Sequence, residues 1–150
     1  MQQLDDLDKG ILNILIQNAK TPYAELAEKL FVSTGTIHVR IKKMEKMKVI
    51  IGSKIKVDYE KLGFDVCVFL GIYLEKSSFY EQVIKQLTNI PEVISAHYTT
   101  GAYSIFAQLI CRDTSHLREV LHNNIQQIEG IQRTETFISL ESCIERTAVI

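Results

Sequence analysis

At 150 residues the chain has room for one domain or two small ones, and its formal net charge of −1 says little until it is divided along the chain. The N-terminus MQQLDDLDKG is acidic and lacks an apolar signal core, and no apolar run reaches spanning length, so neither an export signal nor a membrane segment is expected. The three cysteines, Cys67, Cys111 and Cys143, fit no zinc or redox spacing; they read as buried structural thiols of a cytoplasmic protein, and no metal is expected.

Charge is unevenly placed. Residues 1–62 carry eleven Lys/Arg against eight Asp/Glu, and residues 63–150 carry six against ten. A basic first part joined to an acidic second part suits a protein that meets phosphate with one domain and something else with the other. Between Arg40 and Lys56 there are seven basic residues and one acid, Glu45.

In chain order, Leu4, Leu7, Ile11, Ile14 and Leu15 give a first amphipathic stripe. Tyr23, Leu26, Ala27 and Leu30 give a second, with Thr21 as its expected cap and Pro22 at its first position. Ser33 is the expected N-cap of a third helix, whose inward stripe is Ile37, Ile41 and Met44. Its outward face carries Thr36, His38, Arg40 and Lys43, flanked by Lys42 and Lys46. Three helices with a basic last one predict a helix-turn-helix domain that places that helix in the major groove of double-stranded DNA. Thr34, Gly35, Thr36, His38 and Arg40 are the expected groove contacts. Lys42, Lys43, Lys46 and Lys54 are the expected phosphate contacts, and Arg40 could also hold a phosphate or cap a neighbouring helix.

Past Lys48 the period changes. Gly52–Asp58 alternates polar and apolar residues, which predicts a half-exposed strand serving as wing or hinge. Leu62-Gly63 is read as the boundary between a domain over residues 1–62 and one over residues 63–150. A strong apolar strand then spans 64–74, with a helix at 78–88, strands at 93–100 and 103–111, a helix capped by Asp113 or Thr114 whose inward stripe is Leu117, Val120, Leu121, Asn124, Ile125 and Ile128, and a final strand at 131–140. The order βαββαβ predicts a ferredoxin-like domain, and the chain as a whole an α+β protein. Two helices cover one face of such a sheet, yet the first strand is apolar on both, so the sheet is expected to pack on a second copy as a homodimer.

Several segments together resemble the Lrp/AsnC family of bacterial transcription regulators: Leu7-Asp8, Glu25-Leu26-Ala27, Val32-Ser33, Arg40-Ile41, Val49-Ile50, Leu62-Gly63 and YTTGAYS at 98–104. The pieces GTIHVR, AYSIF and YTTG resemble the asparagine-responsive AsnC branch. The resemblance implies a regulator of transcription whose second domain binds a small amino acid, asparagine for that branch, in a cleft between dimers, and whose dimers assemble to octamers on DNA. Carried over by position, the effector set is Tyr98, Thr99, Thr100, Gly101, Ala102, Tyr103 and Ser104, with Thr134 and Thr136 as hydroxyl partners across the cleft. Many family members have an acid where this chain has Ser104, so a different polar set is expected to meet the ligand ammonium. Gly101 would let the backbone turn close to a ligand, with amides free to hold a carboxylate.

An enzyme reading stands beside it, because sirohaem decarboxylases resemble the same two-part fold. His38, His97, His116 and His122 form no catalytic spacing, and no nucleophile–base motif occurs, so no catalytic residue and no cofactor beyond the amino-acid effector are expected. A regulator of the same architecture answering to another amino acid is the nearer alternative.

Overall fold

A computed structural model describes residues 4–148. The chain divides into two compact units, Met1–Lys56 with Ile144–Ile150, and Val57–Cys143.

The first unit is built on the three expected helices, α1 (Asp6–Gln17), α2 (Tyr23–Lys29) and α3 (Thr34–Lys46). Their stripes meet in a core of Ile11, Leu12, Leu26, Ala27, Ile37, Ile41 and Met44. Asp5 starts α1 with a reciprocal capping box: its carboxylate accepts from the Asp8 amide at 2.9 Å, and the Asp8 carboxylate accepts from the Asp5 amide at 3.3 Å. Ser33 caps α3 as expected, accepting from the Thr36 amide at 3.1 Å. Thr21 does not cap α2. It is buried, its hydroxyl donates to the Asn18 carbonyl at 2.8 Å, and Pro22 becomes the N-cap, one residue earlier than its expected place.

The strand expected over Gly52–Asp58 does not form. Residues 51–58 are exposed and lie outside every strand, and their backbone makes no backbone hydrogen bond among the described residues. Alternation marks a strand only where a neighbouring strand supplies the ladder, and the single chain offers none there. The division between units also falls at 56/57 rather than at 62/63. The reason is local: the Tyr59 carbonyl accepts from the amides of Leu62 and Phe64, and the Tyr59 and Phe64 rings meet edge-on at 6.4 Å. These contacts tie the short 3-10 turn Glu60–Leu62 to Phe64, on the far side of the expected boundary.

The second unit runs β1 (Val66–Leu74), α4 (Tyr80–Leu87), β2 (Val93–Tyr98), β3 (Ile105–Cys111), α5 (Thr114–Glu119) and β4 (Ile131–Ile138). The strands form one antiparallel sheet in the order β2-β3-β1-β4, the ferredoxin-like arrangement. Val68, Leu70 and Ile72 of β1 and Ile105, Ala107 and Leu109 of β3 face the helices, packed on Val83 and Leu87 of α4 and on Leu117, Val120 and Ile125. Asp113 caps α5 by accepting from the His116 amide at 2.7 Å. The helix then widens into a π turn over Val120–Ile125, where the Gln126 amide reaches back to the Leu121 carbonyl at 2.8 Å. The added residue shifts the phase, so Asn124, expected in the inward stripe, is exposed while Ile125 and Ile128 are buried.

The opposite sheet face is aromatic. Phe69 and Phe106 stack with centroids 6.0 Å apart, and Tyr103 joins Phe106 at 5.7 Å, Phe137 at 6.1 Å and Tyr73 at 5.2 Å. Gly71 makes room for this cluster, because a Cβ there would stand 2.4 Å from the Tyr103 ring. Gly71→Ala is expected to displace that ring and to destabilise the second unit by about 1–3 kcal/mol, read as an earlier midpoint in chemical denaturation.

Candidate DNA interface and effector site

Helix α3 presents three different surfaces. Ile37, Ile41 and Met44 face the core. Thr34, Gly35, His38, Val39, Lys42 and Lys46 are exposed, with Val39 at 65% exposure near the middle of the outward face. Val39 was not expected as a site residue, although its place between Gly35 (i−4) and Lys42 (i+3) puts it there by helical period alone. His38 leans toward α2, its ring 6.0 Å from that of Tyr23. Phe31, in the turn between α2 and α3, has a left-handed φ of 55° and is 95% exposed.

Arg40 and Lys43 do not extend freely outward. Arg40 is ion-paired with Asp5 and with Asp8, the latter at 3.2 Å, and Lys43 is ion-paired with Asp8 at 3.2 Å. Asp5 and Asp8 are the residues that sequence reasoning missed on this side. The Asp8 amide, and after it the Arg40 guanidinium, holds the Asp5 carboxyl below the usual carboxylate range, and Asp5 in turn pushes Arg40 up. Lys42, by contrast, makes an exposed pair with Glu45 at 3.1 Å, and Lys54 lies in the exposed linker.

In the second unit the Gly101 turn leaves β2 and enters β3. The Thr99 amide donates to the Ser104 carbonyl at 3.1 Å, the Thr99 hydroxyl to the Tyr103 carbonyl at 2.7 Å, and the Ser104 amide to the Ile72 carbonyl at 2.9 Å. Gly101 has φ +105° and open space where a side chain would stand. The amides of Thr100, Gly101 and Ala102 make no hydrogen bond among the described residues, and all three residues are exposed. That is the geometry in which a backbone can meet a carboxylate.

Thr134 and Thr136 lie elsewhere. Tyr98 pairs with Ile105, Ile105 with Ile72, and Ile72 with Thr134, so one row crosses the whole sheet. Tyr98 and Thr134 stand at opposite edges, about 14 Å apart at three strand spacings. Thr134 accepts from Gln126 at 3.4 Å and borders a cavity of about 300 Å³ with Gln126, Ile131, Gln132 and Arg133. The turn lines no part of that cavity. Tyr98 itself leans on the helix side, with its ring 4.4 Å from that of Tyr80.

Known protein families match both parts of the chain. Residues 67–149 match the Lrp/AsnC ligand binding domain, and residues 4–51 match a winged helix-turn-helix DNA-binding domain. Regulatory protein AsnC of Haemophilus influenzae is 48% identical over 146 residues, 97% of each chain. Regulatory protein AsnC of Escherichia coli is 48% identical over 144 residues, 96% of this chain and 95% of the relative. The solved structure of the Escherichia coli protein superposes with a TM-score of 0.93 at 46% identity, covering 99% of both chains. The chain belongs to the Lrp/AsnC family.

As a member of that family the protein is a DNA-binding transcription regulator, not an enzyme, and its second domain responds to a small amino acid. A Neisseria meningitidis transcriptional regulator solved as an L-Met complex shares the fold, with a TM-score of 0.92 at 20% identity over 97% of this chain and 95% of that one. No helix of the regulator, among the described residues, is long and apolar enough to cross a membrane. No group of three or more His, Cys, Asp or Glu among those residues could hold a metal ion. The three cysteines are free, but the expected burial holds in full only for Cys111, whose thiol is pushed up to about 11 by desolvation; Cys67 is half-buried and Cys143, beyond the last strand, is exposed.

A polar cluster ties the end of the Gly101 turn to β4. The Tyr103 hydroxyl donates to Glu135 at 2.8 Å and the Tyr73 hydroxyl to the same carboxylate at 3.2 Å. Arg133 is ion-paired with Glu135 and lies 3.6 Å over the Tyr73 ring. Glu135, Arg133 and Tyr73 were missed in the sequence, although the alternation Arg133, Glu135, Phe137 places all three β4 residues on the aromatic face. The Tyr103 hydroxyl, then Arg133, holds the Glu135 carboxyl below its ordinary range, and Glu135 raises the Tyr103 phenol. A carboxyl depressed in the folded state contributes stability above its unfolded value, and that contribution is lost as pH falls through the folded value. Glu135→Gln is therefore expected to remove part of the acid-side loss of stability and to lower the titration of Tyr103, measured by pH-dependent denaturation and by ring chemical shifts.

Proposed function

We propose that the regulator senses asparagine through the turn around Gly101 and transmits it to DNA through its assembly. What carries this reading is the Thr99–Ser104 turn itself, with its positive φ at Gly101 and its open amides, in a chain 48% identical to AsnC proteins along nearly its whole length. Tyr98, Thr99, Thr100, Gly101, Ala102, Tyr103 and Ser104 form one half of the site. The span of about 14 Å between Tyr98 and Thr134 is too long for one amino acid, so Thr134 and Thr136, with Gln126, complete the site from a neighbouring copy.

The assembly is a homodimer that joins further copies, to an octamer, in the cytoplasm. Supporting the dimer is the aromatic sheet face of Phe69, Phe106 and Phe137, a surface apolar enough to call for a protein partner. Effector binding favours one arrangement of dimers, and the arrangement sets the spacing of the recognition helices. The shift cannot exceed the ligand's own difference in affinity between arrangements. A single DNA half-site is therefore expected to feel the effector less than an array of sites does.

Calorimetric titration with asparagine, glutamine, aspartate, leucine and methionine tests the effector. Saturable, asparagine-selective binding that disappears in Gly101→Trp is the expected result; silence for every amino acid from a protein that still binds DNA removes the asparagine assignment and keeps the regulator.

On the DNA side, Thr34, Gly35, Thr36 and His38 meet base edges or the groove wall, and Lys42, Lys46 and Lys54 meet phosphate. Arg40 and Lys43 flank this set while tied to the acids of α1. Lys42→Ala and Lys46→Ala are each expected to weaken binding to all sequences alike. Each should flatten the slope of log affinity against log salt by about 0.9 per engaged recognition helix, read by fluorescence anisotropy.

A further inference from the structure

Asp8 is a fully buried carboxylate, at 0% side-chain exposure, and the cations it holds both come from the recognition helix. Arg40 and Lys43 are 29% and 33% exposed, so each is part-way withdrawn from solvent, and Asp5, at 49% exposure, adds a second acid to Arg40. Two carboxylates face two cations, and the cluster is electrically neutral. We propose that Asp8 is a positioning residue which, helped by Asp5, holds Arg40 and Lys43 out of the phosphate-binding set and fixes the recognition helix against α1.

The physical reason lies in what each cation would leave behind. If Lys43 or Arg40 turned to a phosphate, Asp8 would keep its burial and lose its counter-charge, and an unpaired buried carboxylate is far more costly than a broken surface pair. Lys42 faces the opposite situation. Its partner Glu45 is 43% exposed and rehydrates readily, so Lys42 can exchange that pair for DNA. Two lysines one position apart on the same helix are thus assigned different roles by the burial of their partners. The cluster also bridges α1 and α3 at one end of the domain, which sets the angle at which Thr34, Gly35 and Val39 are offered to the groove.

The test uses the full chain and two duplexes of equal length, one of mixed sequence and one selected by the protein from a random library, with affinity measured across a salt series. Lys43→Ala is expected to leave the salt slope on both duplexes unchanged; a slope flattened by about 0.9 per engaged helix would overturn the proposal, since Lys43 would then be holding a phosphate. Asp8→Asn is expected to steepen the slope by about 0.9 for each released cation, to tighten binding to the mixed duplex several-fold at low salt, and to narrow the preference for the selected one. Arg40→Lys, which keeps a cation beside Asp5 and Asp8, should behave as the parent chain. An Asp8→Asn variant that folds, loses stability and keeps the parental slope would assign the cluster to structure alone and overturn the proposal. If Asp8→Asn does not fold, Lys43→Ala decides by itself.

Discussion

A four-stranded sheet has two faces, and this chain supplies helices for one. That constraint organises the second unit. Val68, Leu70 and Ile72 turn toward α4 and α5, which leaves Phe69, Gly71 and Tyr73 on the other side of the same strand. The open side is filled by rings from three strands and from the end of the Gly101 turn. Tyr103 is the member that belongs to both the Gly101 turn and the aromatic face. Its ring lies over Gly71, and its hydroxyl is fixed by Glu135 of β4. Tyr103 therefore joins the Gly101 turn to the aromatic face by direct contact, the kind of connection that the proposed linkage between effector and assembly calls for.

Much of this architecture was legible in the sequence because burial repeats with the period of each element. The stripes of Ile11, Leu26 and Ile37 with their neighbours predicted three helices that meet in one core, and Ser33 marked the start of the third through its side-chain cap. The order βαββαβ came from the same reading. What escaped were features set by groups distant in sequence. The alternation over Gly52–Asp58 has no ladder partner within one chain. Asn124 left the inward stripe because a π turn changed the helical phase.

The same limit explains the recognition helix. Periodicity can say that Arg40 and Lys43 are not in the core; it cannot say that Asp5 and Asp8, more than thirty residues earlier, take up their charge. Counting basic residues between Arg40 and Lys56 therefore overstates the charge available to DNA. The capping box of α1 has a double use. Asp5 and Asp8 satisfy each other's amides at the helix start, and the same two carboxylates then reach across to α3.

Burial decides which of these pairs persist near DNA. Salt and competing phosphates weaken an exposed pair such as Lys42–Glu45, whose members are already hydrated, whereas the Asp8 pairs are screened far less. A helix that carried all its cations as free phosphate ligands would bind any duplex strongly, since the phosphate contribution is blind to sequence. Withholding two of them, as proposed for Arg40 and Lys43, would lower that indiscriminate part and leave the exposed Thr34, Gly35, His38 and Val39 a larger share of the difference between one duplex and another. The proposed mechanism, in which an effector alters the spacing of the recognition helices, calls for that balance, because an effector can redistribute only as much binding energy as the alternatives differ by.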